Sequence, residues 1–170
     1  MTGKEIIEIL DLQPHSKEGG YFKETYSSEE TISPEALPDR YTNLKRFGTA
    51  IYYLLMPDTY SALHKLSTDE IFHFYLGDPV IMLQLYPDLT SKVITLGPEI
   101  NNGQQVQVIV PKDTWQGSFL KDGGKYALLG TTMAPGFDFS DYKKGVRDSL
   151  VHQYPNQKRL IEKLAAQPDN

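Results

Sequence analysis

The sequence predicts an all-β fold, with a short helix at the N-terminus and helices again at the C-terminus. Three observations predict it. Between residues 48 and 133 the chain breaks into short strand-like runs divided by Pro, Gly, Asn and Asp, the pattern of a sandwich or barrel. Helical spacing of apolar residues occurs only at the two ends. The chain has 170 residues, 39% hydrophobic and 23% charged, which suits one ordinary globular domain spanning residues 1–170.

Taken in order, Thr2 and Glu5 have the spacing of a capping box, and Ile6, Ile7, Leu10 and Leu12 follow at roughly helical intervals, so residues 3–11 read as a helix. Pro14 to Gly20 is a turn-rich break. Residues 21–26 (YFKETY) read as a strand, and 27–46, polar with Pro34 and Pro38, as an irregular arm. The strand runs are 48–56, 59–66, 70–76, 79–86, 92–96, 105–110, 115–120 and 125–133. Ala134 to Phe139 is a loop, Ser140 can cap a short helix, and 156–166 is a final helix whose Leu160, Ile161 and Leu164 face the barrel. The tail from Gln167 is expected to fray.

Composition narrows the function. No cysteine is present, which removes disulfides, thiolate nucleophiles and thiolate metal sites. The net charge of −5 and the scatter of Lys and Arg argue against a nucleic-acid partner. No apolar stretch approaches a membrane span and no signal peptide is visible, so the expected location is the cytoplasm. Tyr is frequent, with 11 residues beside 7 Phe and 1 Trp; such side chains suit strands and wet pockets.

The chemistry concentrates in the run from His64 to Gly77. His64 ends one strand and Glu70 starts the next. Alternation places Glu70, Phe72, Phe74 and Leu76 on one face and Ile71, His73 and Tyr75 on the other. If the first face looks inward, Glu70 is a buried carboxylate in need of a partner, and His64 is the nearest.

These residues resemble the first motif of the cupins: His-x-His, then Glu, then Gly. His64, Leu66, Glu70 and Gly77 fall on its four positions, with Leu66 where the second His stands. The second cupin motif, Pro-x-Gly and then His, is matched by Pro111, Asp113 and Gln116, with Asp113 for the Gly and Gln116 for the His. The runs around His15–Thr25, Thr49–Leu55, Asp69–Gly77 and Ala134–Phe139 are similar to one uncharacterised cupin family, the domain-of-unknown-function 985 family, over about residues 5–155. The resemblance implies a double-stranded β-helix, the cupin jelly-roll barrel, and a homodimer, which would cover an exposed edge such as strand 21–26. Gly20 to Glu24 also resembles an early strand of the deoxysugar-nucleotide 3,5-epimerases, metal-free cupins with a barrel His as base.

Three functions compete. A small polar metabolite, such as a sugar derivative, could bind in the barrel and be isomerised without metal. His64 and Glu70 would then be catalytic, with Phe72, Phe74, Trp115, Gln116, Tyr52, Glu24 and Asp138 against the ligand. His15, before the Glu18-Gly19-Gly20 turn, reads first as a turn stabiliser and second as a pocket-rim residue. A metal-dependent cupin enzyme, a dioxygenase or sugar isomerase, would use His64, Glu70 and Gln116 as ligands of a divalent metal. Gln is a poor ligand and Leu66 supplies none, so no cofactor is favoured. The third function is a structural or interaction protein with a filled barrel.

Overall fold

The computed structural model describes residues 1–165. Thirteen strands and three α-helices follow one another in this order: α1 Gly3–Leu10, β1 Gln13–Pro14, β2 Tyr21–Ser27, β3 Thr31–Ile32, β4 Lys45–Arg46, β5 Thr49–Leu55, β6 Tyr60–Lys65, β7 Glu70–Gly77, β8 Val80–Leu85, β9 Ser91–Leu96, β10 Gln107–Val110, β11 Trp115–Leu120, β12 Ala127–Met133, β13 Lys143–Lys144, α2 Arg147–Gln153 and α3 Lys158–Leu164. Each expected strand between 48 and 133 is present. The expected tail from Gln167 lies outside the described residues.

Eleven of these strands form two antiparallel sheets, ordered β1-β2-β5-β12-β7-β10 and β13-β6-β11-β8-β9, and β3 and β4 pair with each other. The facing sides of the two sheets make the barrel. Its interior is divided. One end is filled by Leu55, Phe72, Met82, Leu96, Val108, Leu120 and Leu129, each fully buried side chain of this kind adding about 1.5–3 kcal/mol. The other end carries polar side chains and stays partly open.

Each sheet is covered outside by a helical layer. Helix α1 carries the expected capping box, with Glu5 N–H donating to Thr2 Oγ1 at 3.3 Å and Thr2 N–H to Glu5 Oε2 at 2.7 Å. It lays Ile6 on Leu54 and Leu128. The second sheet is covered by α2 and α3, whose Leu150, Ile161 and Leu164 pack on Leu63, Leu83 and Phe119.

Several expectations are corrected. The alternation of β7 holds through Phe74 and then fails: Phe74 pairs with Leu129 and Leu76 with Leu128, leaving Tyr75 in a bulge. The extra residue turns Leu76 to the outer face, against α1. The arm 27–46 is partly ordered, by the β3–β4 ribbon and by Lys45, which is buried and ion-paired with Asp141. Strand 21–26 is no bare edge along its whole length, since β1 pairs with Tyr21 and Phe22. Asp138, not Ser140, caps the turn at 139–141, accepting from Ser140 N–H at 2.8 Å.

Candidate functional site

The open end of the barrel holds a cavity of about 140 Å³, whose walls include His15, Glu18, Phe22, Glu24, Ile51, Leu66, Glu70, Thr131 and Phe137. The polar groups come from three places. Glu70 and Thr131 belong to β7 and β12 of the first sheet. His64 and Gln116 are direct cross-strand partners on β6 and β11 of the second. His15 and Glu18 come from the turn between β1 and β2.

That turn is tacked to the barrel through its backbone. Ala62 N–H donates to Glu18 O at 2.7 Å, and the Tyr53 hydroxyl donates to Gly19 O at 2.8 Å. The chain can make so tight a path because Gly19 and Gly20 take φ of +91° and +70°, where a side chain is strained. A Cβ on Gly20 would also stand 2.8 Å from Leu54 O. The result is that Glu18 is inserted at the barrel mouth.

The two histidines have opposite tautomers. His15 Nδ1 accepts the Glu18 backbone N–H at 3.0 Å, so the neutral ring carries its proton on Nε2. His64 Nδ1 lies 2.7 Å from Ala62 O, which can only accept, so its proton is on Nδ1 and Nε2 holds a lone pair. Both Nε2 atoms face Glu18 Oε1, His15 at 3.9 Å and His64 at 3.7 Å. Neither distance is a hydrogen bond. Glu18 therefore stands between a donor and an acceptor, with its carboxyl free toward the cavity and only 15% exposed.

Glu70 is held differently. It accepts a short hydrogen bond from the Gln116 amide, and Thr131 stands beside it in the cavity wall. The same Gln116 nitrogen lies 3.4 Å from His64 Nε2. Burial pushes the Glu70 carboxyl above its ordinary range, the neighbouring Glu18 adds to this, and His64, Gln116 and Thr131 oppose it. Burial also raises the Glu18 carboxyl, against His15. It lowers both imidazoles, against Glu70 at His64 and Glu18 at His15, so both rings are held neutral. The Tyr142 ring stacks on His64 at 5.2 Å, and burial pushes its phenol up to about 12, with Glu18 contributing.

This arrangement revises the expected site. Glu70 and Glu24 line the cavity. His64 and Gln116 are brought to Glu70 as expected, yet both are fully buried and lie one layer behind the cavity wall. Phe72 is barrel core, and Phe74 packs against that core. Tyr52 points outward beside α1, with Tyr53 turned in by strand alternation. Trp115 also points outward, onto the α2–α3 layer, with Lys65 Nζ 4.8 Å from its ring centroid. Asp138 serves the loop cap. Glu18 and Thr131 were not anticipated. The sequence signal for Glu18 was the Gly-Gly pair behind it, which marks a strained turn but not where that turn docks.

The donor set does not suit a transition metal. Gln116 offers N–H groups, not its carbonyl, to Glu70 and His64. Leu66 brings carbon to the position of the second motif histidine. Among the described residues no group of three or more His, Asp or Glu side chains is arranged to hold an ion.

The motif positions match despite their changed residues. Asp113 adopts φ +63°, the left-handed conformation that suits the motif glycine. A model of the family described as the cupin superfamily (DUF985) matches residues 4–144. The chain belongs to this cupin family. This cupin is 32% identical over 159 residues to "Uncharacterized protein YML079W" of Saccharomyces cerevisiae, covering 88% of this chain and 78% of that one. Among solved structures, it is similar to a hypothetical protein from Leishmania major, with a TM-score of 0.86, 26% identity and coverage of 97% and 99%. It is equally similar to protein SO0799 from Shewanella oneidensis, with a TM-score of 0.86, 27% identity and coverage of 99% of both chains. Among the described residues no helix is long and apolar enough to cross a membrane.

Proposed function

We propose that this cupin binds a small polar metabolite at the barrel mouth and moves a proton on it without a metal, in the manner of an isomerase or epimerase. The observation that carries this reading is the pair of opposite histidine tautomers on either side of Glu18.

Glu18 is the acid–base group. Its carboxyl faces the cavity and is raised by burial, which brings it nearer the pH at which a carboxylate can both take and return a proton. His15 Nε2–H, in the cavity wall, donates to a carbonyl or alkoxide oxygen of the ligand; a neutral imidazole is a suitable electrophile. The proton leaves the ligand carbon next to the carbonyl for Glu18, negative charge moves to the oxygen held by His15, and Glu18 returns the proton to the same or the neighbouring carbon. His64, behind Glu18, touches no ligand. It is a positioning residue, whose ring backs the Glu18 carboxyl at 3.7 Å. Glu70, rigidly held, orients hydroxyl groups.

The test is proton exchange in D2O, followed by NMR on hydroxyacetone and dihydroxyacetone, with chelator-treated protein. Deuterium should enter the carbon next to the carbonyl. Glu18→Gln should slow entry about 100-fold or more, the usual size of a general acid–base contribution. Exchange no faster than in buffer, or exchange that needs added metal, would overturn the reading.

A further inference from the structure

The cavity has a charge imbalance. Its wall holds the Glu18, Glu24 and Glu70 carboxyls, of which Glu18 and Glu70 lie deepest, and no Lys or Arg lines it among the described residues. The histidines that could balance them are held neutral by burial and by their backbone partners. The neighbouring cations stay outside the wall. Lys45 is paired with Asp141, and Arg46 donates to Ser28 O. Lys17, at the mouth, places its Nζ over the Phe139 ring at 4.3 Å.

Two features of the wall point to what would enter. The Glu18 carboxyl accepts no hydrogen bond from a described residue, although it is mostly buried and opens only on the cavity. A buried acceptor of this kind calls for a donor. Around it the wall is apolar and aromatic, with Phe22, Phe137 and Phe139, ring faces that attract cations. The Lys17 ammonium on Phe139 already makes such a contact at the mouth.

We infer that the cavity selects a compact organic cation, a molecule with a primary ammonium group and a short carbon body. This rests on the reading of the cavity as the ligand site and specifies the ligand's charge. The ammonium donates to Glu18 and Glu70, whose charges it offsets, and the carbon body lies on Phe22, Ile51 and Leu66. A cavity of about 140 Å³ sets the size: an apolar pocket of roughly 150 Å³ takes benzene, so the enclosed part has about six non-hydrogen atoms. An anion of this size would meet three carboxyls and no cation in the wall.

Three probes of similar size test the charge: 2-aminoethanol, ethylene glycol and glycolate, titrated calorimetrically into the full-length protein at equal ionic strength. 2-Aminoethanol should bind at least tenfold more tightly than the other two, and Glu70→Gln, checked for folding by circular dichroism, should erase the preference. Equal binding of all three, binding of none, tighter binding of glycolate, or a preference that survives in a folded Glu70→Gln protein would each overturn the inference. The outcome is separable from the proton-transfer reading. Amine selectivity without deuterium exchange would sink the catalytic role alone, and exchange without selectivity would sink the charge assignment alone.

Discussion

Glu18 Oε1 lies 3.7 Å from His64 Nε2 and separates that ring from the cavity. The residue that the cupin motif places at the centre of the barrel is thereby covered by a carboxyl from a turn near the N-terminus. The position of that turn decides what the pocket can do.

The turn depends on Gly20. Gly20→Ala forces a Cβ toward Leu54 O in a left-handed backbone conformation. The expected loss is about 1–3 kcal/mol in denaturant unfolding. Any ligand binding should weaken as well, because Glu18 moves with the turn. Unchanged stability would mean that the turn is not held as described.

Metal affinity should be created by restoring the motif. Leu66→His with Gln116→His adds two imidazoles near Glu70 and His64 and removes the amide that occupies both. After incubation with Mn(II) or Zn(II) and gel filtration, the double variant should retain near-stoichiometric metal and the natural protein far less. Stoichiometric metal in the natural protein would show that Glu70 and His64 hold an ion without those two imidazoles.

The arm before β5 is tied to the 139–141 turn by a buried ion pair. Lys45 bonds Asp141, which also accepts from Ser67 Oγ at 2.7 Å. Lys45→Met leaves a buried carboxylate without its cation and should cost about 3–5 kcal/mol. Replacing both residues, as in Lys45→Met with Asp141→Leu, should recover most of that loss. A single variant with unchanged unfolding midpoint would rule out a structural role for the pair.

Acid stability should report His64. Its folded pKa is depressed by burial, so its contribution is full above the unfolded value of about 6.5 and is lost as pH falls through the folded value. The raised carboxyls of Glu18 and Glu70 act in the other direction, losing stability as pH rises from about 4.5. The difference between the natural protein and His64→Gln isolates the histidine. It should shrink steadily as the pH is lowered below about 6.5 in unfolding experiments. A difference independent of pH would show that His64 does not titrate differently on folding.

Much of this fold was legible in the chain. Turn residues and period-two runs located the barrel strands to within about two residues, because those signals are local. The motif spacing also placed His64, Glu70 and Gln116 together. Failures arose where a non-local event overrode a local pattern. A single bulge at Tyr75 reversed Leu76. Two adjacent tyrosines, Tyr52 and Tyr53, were indistinguishable until strand register assigned one to each face. The docking of Glu18 depends on contacts to Ala62 and Tyr53, more than thirty residues away in sequence, and no local spacing encodes it. Lys45 lay inside a polar arm that read as irregular, since its partner Asp141 is 96 residues away in sequence.

A raised Glu18 carboxyl stands before a neutral His64. NMR titration of selectively labelled protein tests it without knowledge of any ligand. The side-chain carbon of Glu18, assigned by its loss in Glu18→Gln, should titrate above the usual glutamate range. The His64 ring nitrogens should show Nδ1–H and an unprotonated Nε2 at neutral pH. A Glu18 that titrates at or below the ordinary value, beside a His64 that is an imidazolium or carries its proton on Nε2, would overturn this assignment of the two groups.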